Sequence, residues 1–517
     1  MTWRGGYPCQ VIFKAFGGTM KNTEKEVNMY TLNAFQKFGV KFIRFFKNIP
    51  SGIAGFFKNV GSGIVNFFKW IGNDLKDIGV SFVEGSIADK ISFVIMGVGA
   101  FARKQFARGL AFLALEAGFI WYMVTIASQY LPKFGSLGSE KGGFDANYVY
   151  RYGDNSFFIL LYGILSIFVI VFFIVVWRMN IRQDRNAHLL IKEGRPIPSN
   201  SDDVKSLFNH NFDKTLLALP VVGIFVFIVL PIAFMICIAF TNYDYDHQSP
   251  TNLFTWVGLT NFKMLLSTGA SSLGKTFRIV LSWTLIWAFF ATFLNYFLGM
   301  GVAILINKKG IRFKKLWRTI LVMTIAVPQF VSLLYVGKLF AADGLINLEL
   351  IKHGIIERAI PFWTNGMYAR VLILIINIWI GVPYIMLITT GLLMNIPEEL
   401  YESAKIDGAN SFQTFKKITL PYMLFVTGPY LLTQFTGNLN NFNVIYLLNQ
   451  GKPQSMQLSD KAGYTDLLVT WLYKMTVNDS NYRMAAVLGI MVFLVTAIVS
   501  LVVYNMLPSV KDEEGFQ

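Results

Sequence analysis

Several apolar runs in this chain exceed the roughly 18 residues that a helix needs to cross a bilayer. In hydrocarbon the backbone of such a run has to satisfy its own N–H and C=O groups, and a continuous apolar run does so as a helix. Composition agrees. Of the 517 residues, 54% are hydrophobic and only 15% are charged, against about 25% charged in soluble domains. The chain reads as an all-α polytopic membrane protein with about eight transmembrane helices.

The spans fall at about 110–131, 156–177, 216–240, 280–306, 319–340 and 369–394. A seventh begins near Tyr422 and is broken by polar residues near Asn438, and the eighth covers about 484–507. The apolar run 91–101 is too short to cross and is followed by Arg103, Lys104 and Arg108. A net charge of +16 could suggest a nucleic-acid partner, but basic residues collect on the cytoplasmic side of membrane proteins. Here Arg178, Arg182, Arg185, Lys192, Arg195, Lys205 and Lys214 follow the second span, and Lys308, Lys309, Arg312, Lys314, Lys315 and Arg318 follow the fourth. No nucleic acid is implied. The charge asymmetry puts both termini in the cytoplasm, with the short loop 241–279, which holds Asp244 and Asp246, outside.

Two cysteines, Cys9 and Cys237, are too few for a disulfide framework, and four scattered histidines show no ligand spacing, so no metal is expected. The N-terminus shows no cleavable signal peptide, and Met20 looks a more natural start than Met1. Residues 45–74 repeat every eleven residues, with Phe45, Phe56 and Phe67 in register beside Lys47, Lys58 and Lys69. Eleven residues is close to three helical turns. The pattern suits an amphipathic helix lying on an anionic leaflet; a Gly-rich tether is the competing reading.

Between the sixth and seventh spans lies a polar, helix-compatible segment, 402–421. Pro397, Glu398 and Glu399 suit a first helical turn, with Asn395 as its cap. Gly408 stands where that helix would end with φ > 0. A second short helix from about Ser411 would run to Leu420-Pro421. Glu402-Ser403-Ala404, Asp407-Gly408-Ala409 and Ile418-Thr419-Leu420-Pro421 resemble the EAA motif, the coupling loop of type I ABC importer permeases; only Ser403 departs from it, small for small. The resemblance implies that the two helices sit in a cleft on a separate ATPase subunit. Glu402 would pair with a basic group there, Gly408 would make the turn, and Ala404, Ala409 and Phe412 would supply contacts. ATP and Mg would be bound by that partner, with no cofactor in this chain. Gly269–Thr276 does fit the P-loop pattern, but a P-loop needs a strand before it and an α/β domain around it. Flanked by membrane spans in an outside loop, it reads as coincidence.

The resemblance extends over about 216–507. Phe240-Thr-Asn-Tyr-Asp, Val257-Gly-Leu-Thr-Asn-Phe262, Asn377-Ile-Trp-Ile-Gly-Val-Pro-Tyr384, Gly437-Asn-Leu-Asn-Asn-Phe-Asn-Val-Ile445 and Ala462-Gly-Tyr-Thr-Asp-Leu-Leu-Val469 look like the larger permease subunit of maltose and maltodextrin importers. It implies a type I permease domain at 216–517 with a core at about 276–507, two accessory spans and a cytoplasmic loop at 91–215, and an N-terminal amphipathic extension at 1–90. It also implies a second permease subunit, an ATPase dimer and an extracellular sugar-binding protein as partners, and the bacterial plasma membrane as the location. Polar residues within spans are costly and tend to be functional. Asn377, Tyr384, Gln434, Asn438, Asn440 and Asn441 fall in or beside spans six and seven. Their amides can both donate to and accept from the hydroxyls of a neutral sugar, while Trp379 and Tyr384 offer ring faces. Carried over by position, the family's sugar contacts fall on Gln329, Asn377, Gly381, Tyr384, Asn438 and Asn441, with Ile325 where the family has an aromatic. The competing reading of each Asn is an interhelical hydrogen bond. Glu116, inside the first span, reads as structural rather than as a proton relay. The alternatives are a permease for another oligosaccharide, a secondary transporter, which would need intramembrane acidic groups, and a membrane-shaping protein built on the 45–74 repeat.

Overall fold

The computed structural model describes residues 61–506 apart from 64, 67, 145–147, 149, 249–251, 268–271, 309 and 460. Cys9, Met20, most of the 45–74 repeat and the start of the 269–276 segment lie outside the described residues. The chain divides into two units at Gly79 and Val80. In the first, residues 61–63, 65–66 and 68–79 are helical.

The second unit opens with α1 (Ile87–Ile91) and α2 (Val98–Ala102), short helices where the sequence has an apolar run too brief to span. The first long helix is α3 (Phe106–Lys133), with a π-turn at Met123–Ala127. A small antiparallel hairpin, β1 (Gly143–Phe144) and β2 (Tyr150–Arg151), leads to α4 (Ser156–Lys192). Asn155 caps α4 by accepting from the N–H groups of Phe157 and Phe158 at 3.0 and 3.2 Å. With 37 residues, α4 is about 55 Å long at 1.5 Å per residue, well beyond the ~30 Å hydrocarbon layer. Its excess length carries Arg178, Arg182, Asp184 and Arg185.

A buried polar network ties α1 and α2 to α4. Arg103 bridges Asp89 and Asp184, all three side chains at 8% exposure or less. Asn180 Nδ2 donates to Ser92 at 3.0–3.1 Å, and its Oδ1 accepts from Gly97 N–H. Glu116 accepts from Met96 N–H at 2.8 Å. That bond gives it a structural partner.

Next come α5 (Asn200–Phe208), α6 (Phe212–Ile238), α7 (Thr260–Leu266) and α8 (Ser272–Asn307). The expected fifth span at 319–340 is not one helix. It is α9 (Lys314–Ala326) and α10 (Gln329–Leu339), meeting at 91°. Pro328 causes the break: it bars the preceding residue from the α region, and Val327 is extended at φ −82°, ψ 130°. After α11 (Leu345–Lys352), α12 (Gly366–Leu393) is capped by Asn365, and α13 (Glu398–Ile406) and α14 (Ser411–Thr414) follow. A π-turn at Phe415–Thr419 joins α14 to α15 (Leu420–Leu439). The chain closes with α16 (Phe442–Asn449), α17 (Leu468–Tyr473) and α18 (Tyr482–Met506).

Among the described residues, six helices are long and apolar enough to cross a membrane, and the count is seven when the bent α9–α10 pair is taken as one span. Helix α15 stands where the seventh span was expected and breaks at Asn440, as its polar residues predicted, but those residues keep it out of that set. Among the described residues, three large buried clusters hold the permease region together, beside a smaller one at Ala303, Ile306 and Met386. One gathers Phe254, Val280, Trp471 and Met484. A second packs Trp283 and Trp287 of α8 on Leu333, Ile373 and Ile445. The third sets Tyr296 and Met300 against Ile385 and Met423.

Candidate functional site: an exposed helix-turn-helix and an uncharged cavity

The 402–421 segment is a helix-turn-helix. Asn395 is not its cap: its N–H bonds the Leu392 carbonyl at 3.1 Å, as part of the end of α12. Pro397 takes the N-cap position in an extended conformation and makes no side-chain cap bond. Helix α13 ends at Asp407, where Gly408 turns at φ +73° and Ala409 N–H reaches back to the Ala404 carbonyl at 2.9 Å. This left-handed position is one where a Cβ would be strained. The chain then starts again through a capping box: Asn410 Oδ1 accepts from Gln413 N–H at 2.8 Å, and Gln413 Oε1 accepts from Asn410 N–H at 2.9 Å. The second helix does not stop at Leu420. It runs through the π-turn into α15, with Pro421 in its first turn. The Tyr401 hydroxyl lies 3.0 Å from Thr419 Oγ1 and ties the first helix to that turn.

Glu402, Asp407, Gly408, Phe412 and Pro421 are exposed, and Ala404, Ala409 and Leu420 are half-buried. Phe412 is 70% exposed and Ile406, unnoticed in the sequence, 86%. These two bare apolar side chains stand on either side of the polar turn. Among the described residues no ion pair involves Glu402, so its carboxylate is available.

The expected sugar contacts separate into two groups. Gln329 begins α10 just past the Pro328 break and, with Ile325, Pro328, Ile380 and Tyr384, lines an open groove of about 330 Å³. Tyr384 also lines a narrower cavity of about 50 Å³ with Thr292, Asn295, Gly381 and Gln434. No charged side chain lines either space. Gly381 is there because of close packing: a Cβ on it would meet Asn295 Nδ2 at 2.1 Å.

Asn438 and Asn441 stand behind the cavity wall. Asn438 Nδ2 donates to Thr292 Oγ1 at 3.0 Å and its carbonyl accepts from Trp287 Nε1 at 3.2 Å. Asn441 Nδ2 donates to Asn438 Oδ1 at 3.3 Å, while its own Oδ1 caps α16 at Val444. Asn438 thus makes the interhelical bond of the competing reading, whereas both bonds of Asn441 are local. Asn377 lies one turn before Gly381, 5% exposed, and its Nδ2 has no hydrogen-bond partner. Asn295 Oδ1 is likewise buried and unpartnered. Trp379 is 45% exposed and lines neither space. Asn295 and Thr292 are cavity residues that sequence reasoning missed; the available signal was an amide inside an apolar run.

A bundle of long apolar helices with a broken span, an uncharged amide-lined cavity and an exposed helix-turn-helix between two of its helices has the architecture of a membrane permease. The chain belongs to the family of binding-protein-dependent transport system inner membrane components, whose model matches residues 295–512. It is 33% identical over 432 residues to the maltodextrin transport system permease protein MalC of Streptococcus pneumoniae, covering 81% of this chain and 96% of the relative. It is 35% identical over 422 residues to the galactooligosaccharides transport system permease protein GanP of Bacillus subtilis, covering 81% and 97%. Against the maltose/maltodextrin permease MalF of Escherichia coli, identity is 33% over 266 residues, about half of each chain (50% and 51%). The chain is thus a polytopic permease subunit of an ABC sugar importer, a transport component and not an enzyme.

Proposed function

We propose that the chain forms the translocation path for maltodextrins, neutral glucose oligomers, across the bacterial plasma membrane. The observation that carries this reading is the pair of uncharged spaces sharing Tyr384. Their amides can pair with sugar hydroxyls in either sense, and the Tyr384 ring, 48% exposed, offers a face to a pyranose. Gln329 and Tyr384 touch the sugar, Asn377 supplies an amide donor, and Gly381 leaves room for Asn295. Asn438 and Asn441 hold the wall that Thr292 belongs to. Relatives named for maltodextrin or maltose transport support the cargo.

The loop at 402–421 docks into a cleft on an ATPase dimer that binds ATP and Mg; this chain carries no cofactor. Glu402 pairs with a basic group there, Ala404, Ala409 and Phe412 fill the cleft, and Asp407, Gly408, Leu420 and Pro421 fix the loop's shape. The chain pairs with a second permease subunit, and an extracellular binding protein delivers the sugar. With the loop inside, both termini are cytoplasmic.

A second cargo has one specific observation in its favour: the galactooligosaccharide permease is as similar as the maltodextrin one. Uptake of labelled glucose oligomers of graded length, against labelled galactooligosaccharides, separates the two. Saturable uptake of glucose oligomers, inhibited by unlabelled maltotriose and not by galactooligosaccharide, is expected. The reverse pattern would reassign the cargo, and uptake of neither would reject the sugar path.

A further inference from the structure

A second, chemically different groove lies at the start of α8 and α12, the end of α12 opposite the 402–421 loop. Its volume is about 390 Å³, and it is lined by Lys275, Arg278, Ile279, Ser282, Ile286 and Arg370, with the Trp283 ring beneath. Three cations converge on it, and among the described residues none of them is ion-paired with a carboxylate.

Arg370 is held in place. Its guanidinium stacks 4.4 Å from the Trp283 ring centre and 5.8 Å from that of Tyr464, and its Nε donates to the Tyr464 carbonyl at 2.8 Å. Trp283 is itself fixed by Nε1 donating to the Thr465 carbonyl. An arginine inside an apolar helix without a counter-ion is costly, and such residues tend to be functional.

The order of chemistry along α8 matters more. At about 100° per residue, Lys275, Arg278, Ile279, Ser282 and Ile286 fall on one side of the helix. Ala291, Thr292 and Asn295, which line the sugar cavity, fall on the opposite side. The groove therefore does not open onto the proposed sugar path. The same side continues deeper as Phe289, Phe290 and Phe297, 51%, 41% and 46% exposed. From the helix end inward, the face reads cationic rim, then isoleucine floor, then bare aromatic track.

We infer that this groove binds an anionic phospholipid, its phosphate among Lys275, Arg278 and Arg370 and an acyl chain along Ile279, Ile286 and the phenylalanines. The charge complements the phosphate, and the apolar track lies on the acyl-chain side of it. Placing the lipid in the outer leaflet rests on the proposed topology; the preference for an anionic lipid does not. The two are tested apart: a Lys275→Cys variant labelled in intact cells by a membrane-impermeant maleimide reports the side alone.

The test of the site is native mass spectrometry of the full-length chain in detergent, titrated with phosphatidylglycerol or phosphatidylcholine. Phosphatidylglycerol should be retained in preference. In the Lys275→Gln/Arg278→Gln variant, whose replaced side chains are both exposed, that retention should fall roughly 25-fold, at about fivefold per basic residue near a membrane surface. Arg370→Gln should lower it further. Equal retention of the two lipids, or unchanged retention in the double variant, overturns the inference. So does displacement of the lipid by inorganic phosphate alone, which marks a simple anion site. Retention by the isolated chain but not by the assembled transporter gives the groove to a partner subunit and overturns it too.

Discussion

Asp466 and Lys474 offer the sharpest quantitative test of the fold around the proposed path. Their side chains are 0% and 7% exposed, and Lys474 Nζ lies 2.6 Å from Asp466 Oδ2. The same oxygen accepts from Gly463 N–H at 2.7 Å, and Oδ1 accepts from the Thr470 hydroxyl at 2.9 Å. Burial pushes the Asp466 carboxyl above its usual range, against the pull of Lys474 and these two donors. The pair thus roughly offsets its own desolvation, while either member left alone would be a buried, uncompensated charge. Lys474→Met leaves the carboxylate with two neutral donors and should cost about 3–5 kcal/mol, and Asp466→Asn should cost a similar amount by orphaning the ammonium. The double variant removes both charges, while the Asn amide keeps a bond to Gly463 N–H and another to Thr470. It should fall within about 1 kcal/mol of the parent, which implies a coupling energy far above the ~0.5 kcal/mol of independent sites. Equilibrium unfolding in mixed detergent–SDS micelles, followed by tryptophan fluorescence, measures this, because Trp471 is fully buried beside the pair. Single variants each within about 1 kcal/mol of the parent, or a double variant equal to the sum of the singles, would refute the reasoning.

Three further outcomes bear on the proposed mechanism. Gly408→Ala forces a Cβ onto φ +73° and should destabilise the turn by about 1 kcal/mol, while Gly408→Pro also removes the Gly408 N–H bond to Lys405; the first should lower and the second abolish co-purification of the ATPase, and intact assembly and uptake in the Pro variant would reject the coupling role. Gly381→Ala would drive its methyl into Asn295 Nδ2 and should cut uptake strongly, whereas Gly381→Ala/Asn295→Ala should recover part of it; no recovery in the pair would show that the glycine acts other than by making room. Asn377→Ala removes a buried, unpartnered donor, so it should raise KM for maltodextrin about tenfold without loss of thermal stability, and unchanged uptake at limiting substrate would put the sugar elsewhere.

The long apolar helices were legible because hydrophobic length needs no knowledge of neighbours. The break at Pro328 was not, because averaging hydropathy over 319–340 hides a single residue that only bends the backbone. The turn of the 402–421 loop could be read from Gly408, whereas the Asn410–Gln413 capping box is a four-residue pattern whose pairing only the structure shows. Asn295, Arg370 and Asp466 were illegible for a different reason. Each matters through a partner on another element — Gly381, Trp283 and Lys474 — and no local pattern announces such pairings. The same holds for Asn438 and Asn441: the sequence marks their amides as polar groups beside an apolar run, but only packing shows that they hold α8 to α15 and cap α16.

The continuity of α14, the π-turn and α15 bears most directly on how force applied at the loop could reach the cargo. A loop that merely rested on the bundle would dissipate a push in its own flexibility. Here the second loop helix is the start of the helix whose residues Leu431 and Gln434 line the cavity. Two attachments bracket its entry: the Tyr401–Thr419 contact fixes α13 to the π-turn, and Leu420 packs with Tyr296, Met300, Ile385 and Met423. Tyr296 and Ile385 are the immediate neighbours of Asn295 and Tyr384 on α8 and α12. On the proposed reading, displacement of the loop moves α15 and, through one cluster, the two helices that face it across the cavity. Packed clusters of this kind shift between discrete arrangements rather than deform smoothly, so the geometry favours opening and closing of the cavity as a switch.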